Sequence, residues 1–269
     1  MRIATWNVNS ITARLPRLLD WLGAAEPDVL CLQELKCSDA AFPYDAIGEL
    51  GYGAATYCAG RWNGVAILSR AGLGDVTRGL ADEPEFVDEG ALFGARERRA
   101  IGATCNGVRV WSLYAPNGRA PGHPHFRYKL EWLAALQHTV TAENGDQPLA
   151  LLGDFNVAPT DDDVYDIADF ADSTHVTEPE RQALAALRSS GLTDIVPRAL
   201  KGDRPYTYWD YRQLAFAKDN GMRIDLTLGN PAFTEAVQDA YVDRNARKDS
   251  PAGPPSDHAP VVVDLAFPS

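Results

Sequence analysis

A chain of 269 residues is long enough for one large α/β domain or two small ones, and 45% hydrophobic with 23% charged residues matches an ordinary soluble globular protein. The formal net charge of −12 argues against non-specific, charge-driven binding to nucleic acid and leaves room only for a local basic strip. No apolar run reaches the length of a membrane span, and "MRIATWNVNS" lacks the long apolar stretch of a signal peptide, so cytoplasmic residence without a membrane is expected.

In chain order, β-type runs recur: "RIATWNV", "DVLCLQEL", "GVAILS", "AIGATC", "VRVWSLYAP", "LALLGDF", "RIDLTLG" and "APVVVDLAF". Helical spacing falls between several of them. "RLPRLLDWLGAA" carries Leu15, Leu18, Leu19 and Leu22, and "YKLEWLAALQHTV" carries Leu130, Leu133, Leu136 and Val140. "EPERQALAALRSSG" carries Leu184 and Leu187 ahead of a capping glycine, with Pro179 where a helix start tolerates it. Strands and helices interleave irregularly, which predicts a mixed α/β sandwich rather than a regular βαβ winding. "LADEPEFVDEGALFGARERRA" and "RNARKDSPAGPPSDHAP" read as irregular, no linker divides the chain, and a single domain over 1–269 is expected. "RIATWNVNS" and "LALLGDFNVAP" echo each other, so either chance is at work or two strands half a chain apart sit side by side in a pseudo-symmetric core.

Cys31, Cys37, Cys58 and Cys105 contain no C-x-x-C pair, so neither a zinc site nor a disulfide framework is indicated and reduced thiols are expected. Cys31, inside an apolar run, reads as a small buried hydrophobe. Arg outnumbers Lys several-fold, which suits bidentate phosphate contacts, although codon bias produces the same excess.

Polar groups gather at strand ends: Asn7 and Asn9 in "ATWNVNS", Glu34 in "VLCLQELK", Tyr114 and Asn117 in "SLYAPNG", Asp154 and Asn156 in "LLGDFN", Asp225 in "MRIDL", and Asp257 with His258 in "PPSDHAPVVV". In extended backbone, Asp154 and Asn156 at i and i+2 point to one face. A single acid near a strand end is usually a cap or turn residue. Six together are different, because carboxylates in apolar strands are costly unless paired or metal-bound, and ligands collect at strand ends in α/β sheets. Convergence of Glu34, Asp154, Asp225 and Asp257 calls for a hard divalent cation with oxygen ligands, Mg²⁺. One His, one Tyr and several amides around such a cation suit phosphodiester hydrolysis by water, with Asp154 as base and Asn156 aiming the water. Of the five histidines, His123, His125, His138 and His175 read as surface residues and His258 alone as a site residue.

The motifs "WNVNSI", "LQELK", "LYAPNG", "LLGDFNVAPTDDD", "YTYWDYR", "MRIDL" and "PSDHAPV" together resemble the exonuclease III-like apurinic/apyrimidinic endonucleases of the endonuclease–exonuclease–phosphatase superfamily, in family order across nearly the whole chain. The resemblance implies a four-layer α/β sandwich, with two mixed β-sheets packed face to face and helices outside. It implies Glu34 as the main metal ligand, with Asn7, Asn9 and Asp257 as further ligands or their supports. Asp154 would be the base or water-positioning acid beside Asn156, Tyr114 and Asn117 would contact the phosphate, and His258, oriented by Asp225, would bind a non-bridging oxygen. Lys36 reads equally as a phosphate contact and as a surface lysine.

The stretch "YTYWDYRQLAFAKDNGMRI" interleaves Tyr206, Tyr208, Trp209, Tyr211 and Phe216 with Arg212, Lys218 and Arg223, and aromatics beside cations suit a loop that wedges into a DNA groove. Tyr206 by itself reads better as core. By resemblance, Tyr208, Trp209, Met222 and Ile224 would wall a pocket sized for an abasic deoxyribose. Arg98, Arg99 and, less strongly, Arg61 and Trp62 are further backbone contacts, with "ADEPEFVDEG" placing carboxylates close by.

The implied activity is Mg²⁺-dependent DNA repair, with Mn²⁺ the candidate substitute. The backbone would be cut 5′ to abasic sites in double-stranded DNA, and 3′ ends trimmed by exonuclease and phosphatase or phosphodiesterase action, by a monomer associated with the nucleoid when at work. The alternatives are a superfamily phosphatase acting on inositol phosphates or lipids, a sphingomyelinase-like enzyme, and a DNA-binding protein that has lost catalysis. The aromatic and basic loop opposes the first two, and the presence of Glu34, Asp154 and His258 opposes the last.

Overall fold

Aliphatic runs become strands where both faces can be covered. The structure, a computed structural model, describes residues 1–87 and 94–267. Its strands are β1 (Arg2–Asn7), β2 (Val29–Gln33), β3 (Gly53–Tyr57), β4 (Val65–Ser69), β5 (Gly74–Arg78), β6 (Ala100–Cys105), β7 (Val108–Tyr114), β8 (Leu149–Asp154), β9 (Thr193–Asp194), β10 (Arg198–Ala199), β11 (Asp225–Gly229), β12 (Val237–Val242) and β13 (Val261–Leu265). Seven form one sheet in the order β10-β12-β13-β1-β2-β4-β3, and six form a second in the order β5-β6-β7-β8-β11-β9.

The main helices are α1 (Ile11–Ala25), α2 (Tyr44–Gly48), α3 (Pro124–Glu143) and α4 (Glu178–Ser189). Alternation along each strand sorts residues between layers. On β8, Ala150 and Leu152 join Ile3, Val29 and Val110 in the core between the sheets. Leu149 and Leu151 face outward to Trp132, Leu136 and Val140 of α3 and Leu184 and Leu187 of α4. On the opposite side, Leu18, Trp21 and Leu22 of α1 cover Ala4, Trp6, Leu30 and Leu32. Helix, sheet, sheet, helix is the four-layer sandwich expected.

All eight β-type runs read from the sequence are strands. The five not foreseen, β3, β5, β9, β10 and β12, lie at or next to sheet edges, and β5, "GDVTR", is exposed throughout. An edge strand buries too little to carry an apolar signature. The two echoing strands do meet: β1 and β8 face each other across the sandwich, and Asn7 Nδ2 reaches Asp154 Oδ2 at 2.9 Å. The four thiols are free and buried. His125 corrects the surface assignment, because it lies in the first turn of α3, buried, and accepts a hydrogen bond at Nδ1 from the Gly118 N–H. Of the irregular acidic stretch, Asp88 and Glu89 lie outside the described residues.

Gly153, one residue before Asp154, is where the sheet tolerates no side chain. Its φ is +150°, and a Cβ there would stand 2.0 Å from the Leu113 carbonyl oxygen of the paired strand β7. Backbone cannot retreat as a flexible side chain does. Gly153→Ala is therefore expected to cost at least about 3 kcal/mol, read as a lower urea midpoint. An unchanged midpoint would contradict the packing described.

Candidate active site

The polar strand ends converge on one edge because of sheet topology. β1 and β2 run parallel and end there, as do β7 and β8, whereas β11 and β13 are antiparallel to their neighbours and begin there. Tyr114, Asp154 and Asp225 are direct register partners across β7, β8 and β11.

Asp154 and Asn156 come together by a route the extended-strand expectation missed. The strand stops at Asp154, Asn156 takes a left-handed conformation (φ 51°), and its N–H donates to Asp154 Oδ1 at 2.9 Å. The same local turn follows β1, where Asn9 (φ 45°) donates its N–H to Asn7 Oδ1 at 3.0 Å. Asn and Asp suit this, since their short side chains bond the backbone two residues on and tolerate positive φ.

Asn7 then links the acids. Its Nδ2 donates to Glu34 Oε2 and to Asp154 Oδ2, each at 2.9 Å. His258 stands between two carboxylates, with Nδ1 2.8 Å from Asp225 Oδ2 and Nε2 3.8 Å from Asp154 Oδ2. Burial alone would lower the His258 pKa, but Asp225, by charge and hydrogen bond, and then Asp154 carry it to about 10. Burial pushes Asp154 up to about 7 against the opposing pull of the His258 charge, with Asp225 adding to the rise. Burial, followed by the Glu34 charge, raises Tyr114 well above an ordinary phenol, so it stays a neutral donor. A carboxyl near 7 can accept a proton at neutral pH, while an imidazolium and a phenol beside it can donate to anionic oxygens.

The oxygens suit a hard cation. Glu34 Oε1 and Asn9 Oδ1 already share one cation, the Lys36 ammonium, at 2.8 and 2.6 Å, and Asn9 Nδ2 holds Asp257 Oδ1 at 3.0 Å. Among the described residues, no three His, Cys, Asp or Glu side chains form a metal-holding group. A hard divalent cation needs only one or two carboxylates, with its remaining positions taken by water and phosphate. Glu34 and Asp257, with the Asn7 and Asn9 amides beside them, are the residues that would hold it. Lys36 thus points at Glu34 rather than out to solvent.

A cleft of about 470 Å³ opens beside this edge, lined in part by Asn117, His175, Tyr208, Arg212, Met222 and Phe170. The Tyr208 ring lies 4.9 Å from that of His258. Two expected wall residues are corrected. Trp209 is buried beneath, with Nε1 donating to Asp219 and its ring against Phe216, and Ile224 is buried in one cluster with Met222, Val164 and Ala158, behind Tyr208 and Phe170 rather than on the cleft surface. Of the cations interleaved with those aromatics, Arg223 is buried between Asp163 and Asp194 while Arg212 and Lys218 are exposed, and the cations that stack on Phe216 are Arg244 and Arg247 from later in the chain. A sequence shows aromatics interleaved with cations, but not which of them pair with each other.

Arg99 is likewise corrected as a DNA contact. It is buried, paired with Glu97 at 2.6 Å, and lies under the Tyr114 ring, so it supports that side chain from behind. Arg98 is half-buried and turned to Asp39 and the Cys58 carbonyl. Arg61 and Trp62 are exposed, Trp62 at 72%.

His175 was missed. Its Nδ1 lies 2.7 Å from the Asn156 carbonyl and its Nε2 3.4 Å from Asn117 Nδ2, while burial, then the Lys129 charge, holds its pKa near 4, so it is neutral. Only its neighbours in space mark it, and no local motif surrounds it.

Residues 4–258 match the Endonuclease/Exonuclease/phosphatase family. The chain is 30% identical to the DNA repair nuclease APEX1 of Danio rerio, over 99% of this chain and 82% of that protein. It is 28% identical to exodeoxyribonuclease III of Haemophilus influenzae, over 98% and 100%. Among solved structures, the 3′ phosphatase NExo from Neisseria bound to a product DNA hairpin superposes with a TM-score of 0.90 at 40% identity, covering 99% of this chain and 100% of that one. An AP endonuclease from Archaeoglobus fulgidus superposes at 0.88 with 31% identity and the same coverage. The chain belongs to the endonuclease/exonuclease/phosphatase family, as a nuclease of the exonuclease III and AP endonuclease type.

In metal-free protein, the His258 imidazole should titrate near pH 10 by nitrogen NMR, and Asp225→Asn should bring it down by more than one unit. Wild-type titration near 6.5 would refute the paired arrangement. Trp209→Ala should cost about 3–5 kcal/mol in unfolding free energy, whereas a cleft-wall residue would cost far less.

Proposed function

We propose that the protein is a Mg²⁺-dependent DNA phosphodiesterase that hydrolyses the backbone 5′ to abasic sites and removes nucleotides or phosphate from 3′ ends. The observation that carries this is the single polar edge on which the Asn7 amide joins Glu34 to Asp154 and His258 joins Asp154 to Asp225. The names of the relatives support DNA as substrate, and the two structures cited divide between 3′-end and abasic-site chemistry.

Bound beside Glu34, the cation would neutralise phosphate charge and stabilise the leaving oxygen. The remaining steps fall to the chain. Asp154, its oxygens fixed by the Asn156 N–H and the Asn7 amide, takes a proton from the attacking water. Asn156 aims that water. His258, kept protonated by Asp225, donates to a non-bridging oxygen, and the neutral Tyr114 hydroxyl and the Asn117 amide donate to the phosphate. Tyr208 and Met222 bound the space for a sugar without its base or for a frayed 3′ terminus, and Arg212, with its side chain 88% exposed, reaches for a neighbouring phosphate.

The test uses three end-labelled duplexes, one with an abasic analogue, one intact and one with a recessed 3′ end, each with Mg²⁺ and with chelator. Metal-dependent cutting at the abasic position, with shortening or dephosphorylation at the 3′ end, is expected. Hydrolysis of a soluble phosphate ester with none of the duplexes cut would favour the superfamily phosphatase instead. Asp154→Asn should lower kcat about 10²- to 10⁴-fold with DNA binding kept, and near-normal turnover would remove Asp154 from its role.

A further inference from the structure

Behind the cleft lies an ion pair that the reaction above does not use. The side chains of Lys129 on α3 and Glu180 on α4 are both fully enclosed. A buried pair is a poor source of stability, because desolvation offsets most of the attraction. Its hydrogen bonds indicate another use. Besides Glu180, Lys129 Nζ donates to the Asn156 carbonyl at 2.6 Å, the Asn117 carbonyl at 3.2 Å and the Thr174 hydroxyl at 3.3 Å. Glu180 in turn accepts from the Thr174 hydroxyl at 2.6 Å, the His175 N–H at 2.9 Å, and the Thr177 N–H and hydroxyl at 3.1 and 2.6 Å.

Four segments therefore hang on one pair: the turn after β7, the turn after β8, the loop at 174–175 and the start of α4. Two of those turns carry Asn117 and Asn156, whose side chains touch at 3.3 Å. Asn156 is the critical one. It is held at φ 51°, a conformation non-glycine residues adopt at some cost, and its carbonyl is anchored by Lys129 and by His175 Nδ1 at 2.7 Å. An ammonium with three donors in a fixed cluster suits several carbonyls from different loops.

We infer that Lys129 and Glu180 form a positioning pair, which holds the Asn156 amide at the attacking water and the Asn117 amide at the reacting phosphate through their backbone carbonyls. This rests on the reading of those two amides given under Proposed function. Neither Lys129 nor Glu180 touches substrate, so their removal should lower turnover and leave binding nearly intact.

The test is Lys129→Met with Glu180→Gln in one chain, which removes both charges at similar volume and leaves no unpaired ion. Melting temperature, kcat and KM are measured on whichever DNA substrate the wild type cleaves. The expected result is a folded protein with kcat lowered 10- to 100-fold and KM within threefold. Added to Asn156→Ala with Asn117→Ala, the same pair of changes should produce almost no further loss, because Lys129 acts through those two residues. Wild-type kcat in the folded double variant, or a full additive loss on the Asn156→Ala, Asn117→Ala background, would overturn the inference. Where the double variant does not fold, Glu180→Asp draws the ammonium one methylene away and should lower kcat several-fold, and a folded Glu180→Asp with wild-type kcat overturns it equally. Full activity in Asn156→Ala alone would instead sink the role given to Asn156, which separates the two failures.

Discussion

The two proton donors of one amide, that of Asn7, hold the site together. Apolar contact between two sheets is non-directional and sets their separation better than their relative slide. At the polar edge a directional joint is needed, and Asn7, fully buried on β1, bonds Glu34 from its own sheet and Asp154 from the opposite one, both at 2.9 Å. One layer deeper the device repeats: Gln33 donates to Thr5 at 2.9 Å within its sheet and to Ser112 at 3.0 Å across the gap. Ser112 returns a bond to the Leu32 carbonyl at 2.9 Å. These polar pairs fix the height at which β1, β2, β7 and β8 present their last residues.

That alignment forces Asp154 and Asp225 onto neighbouring positions of adjacent strands, an unfavourable place for two buried acids. His258 relieves it by standing between them. The arrangement leaves the carboxyl of Asp154 poised near neutrality while the imidazole is held charged. Separated pKa values of this kind are a mark of acid–base sites. Asp225 Oδ2 bonds the imidazole, while its Oδ1 is buried with no hydrogen-bond partner from the protein.

Much of this was legible because buried strands advertise themselves. Eight apolar runs marked strands of the two sheets, and the topology brings the polar residues at their ends to one edge. Where the reading failed, the information was tertiary. Exposed edge strands such as β5 carry no apolar pattern. Trp209 and Tyr208 are adjacent in sequence, yet one is core and the other lines the cleft. Lys129 sits in a helical pattern at a position indistinguishable from a solvated face, and only the arrival of Glu180, Asn117 and Asn156 in space makes it a buried hub. His175 similarly has no local motif, because its partners come from turns 19 and 58 residues away in the chain.

The arginine excess is instructive for the same reason. Arg2 forks onto Asp264, Arg198 onto Asp239 and Arg223 onto Asp194, so the bidentate geometry that suits phosphate is used within the fold. Arg17, Arg99 and Arg247 are buried as well. With a net charge of −12 and so many cations internally committed, long-range attraction to a phosphate backbone is weak, and each contact that DNA makes must be local. For the proposed substrate, discrimination then falls to the cleft beside His258, where shape and a few donors act at short range. A ligand held mainly by such contacts should depend less on salt than one held by a basic face, because fewer counterions are displaced on binding.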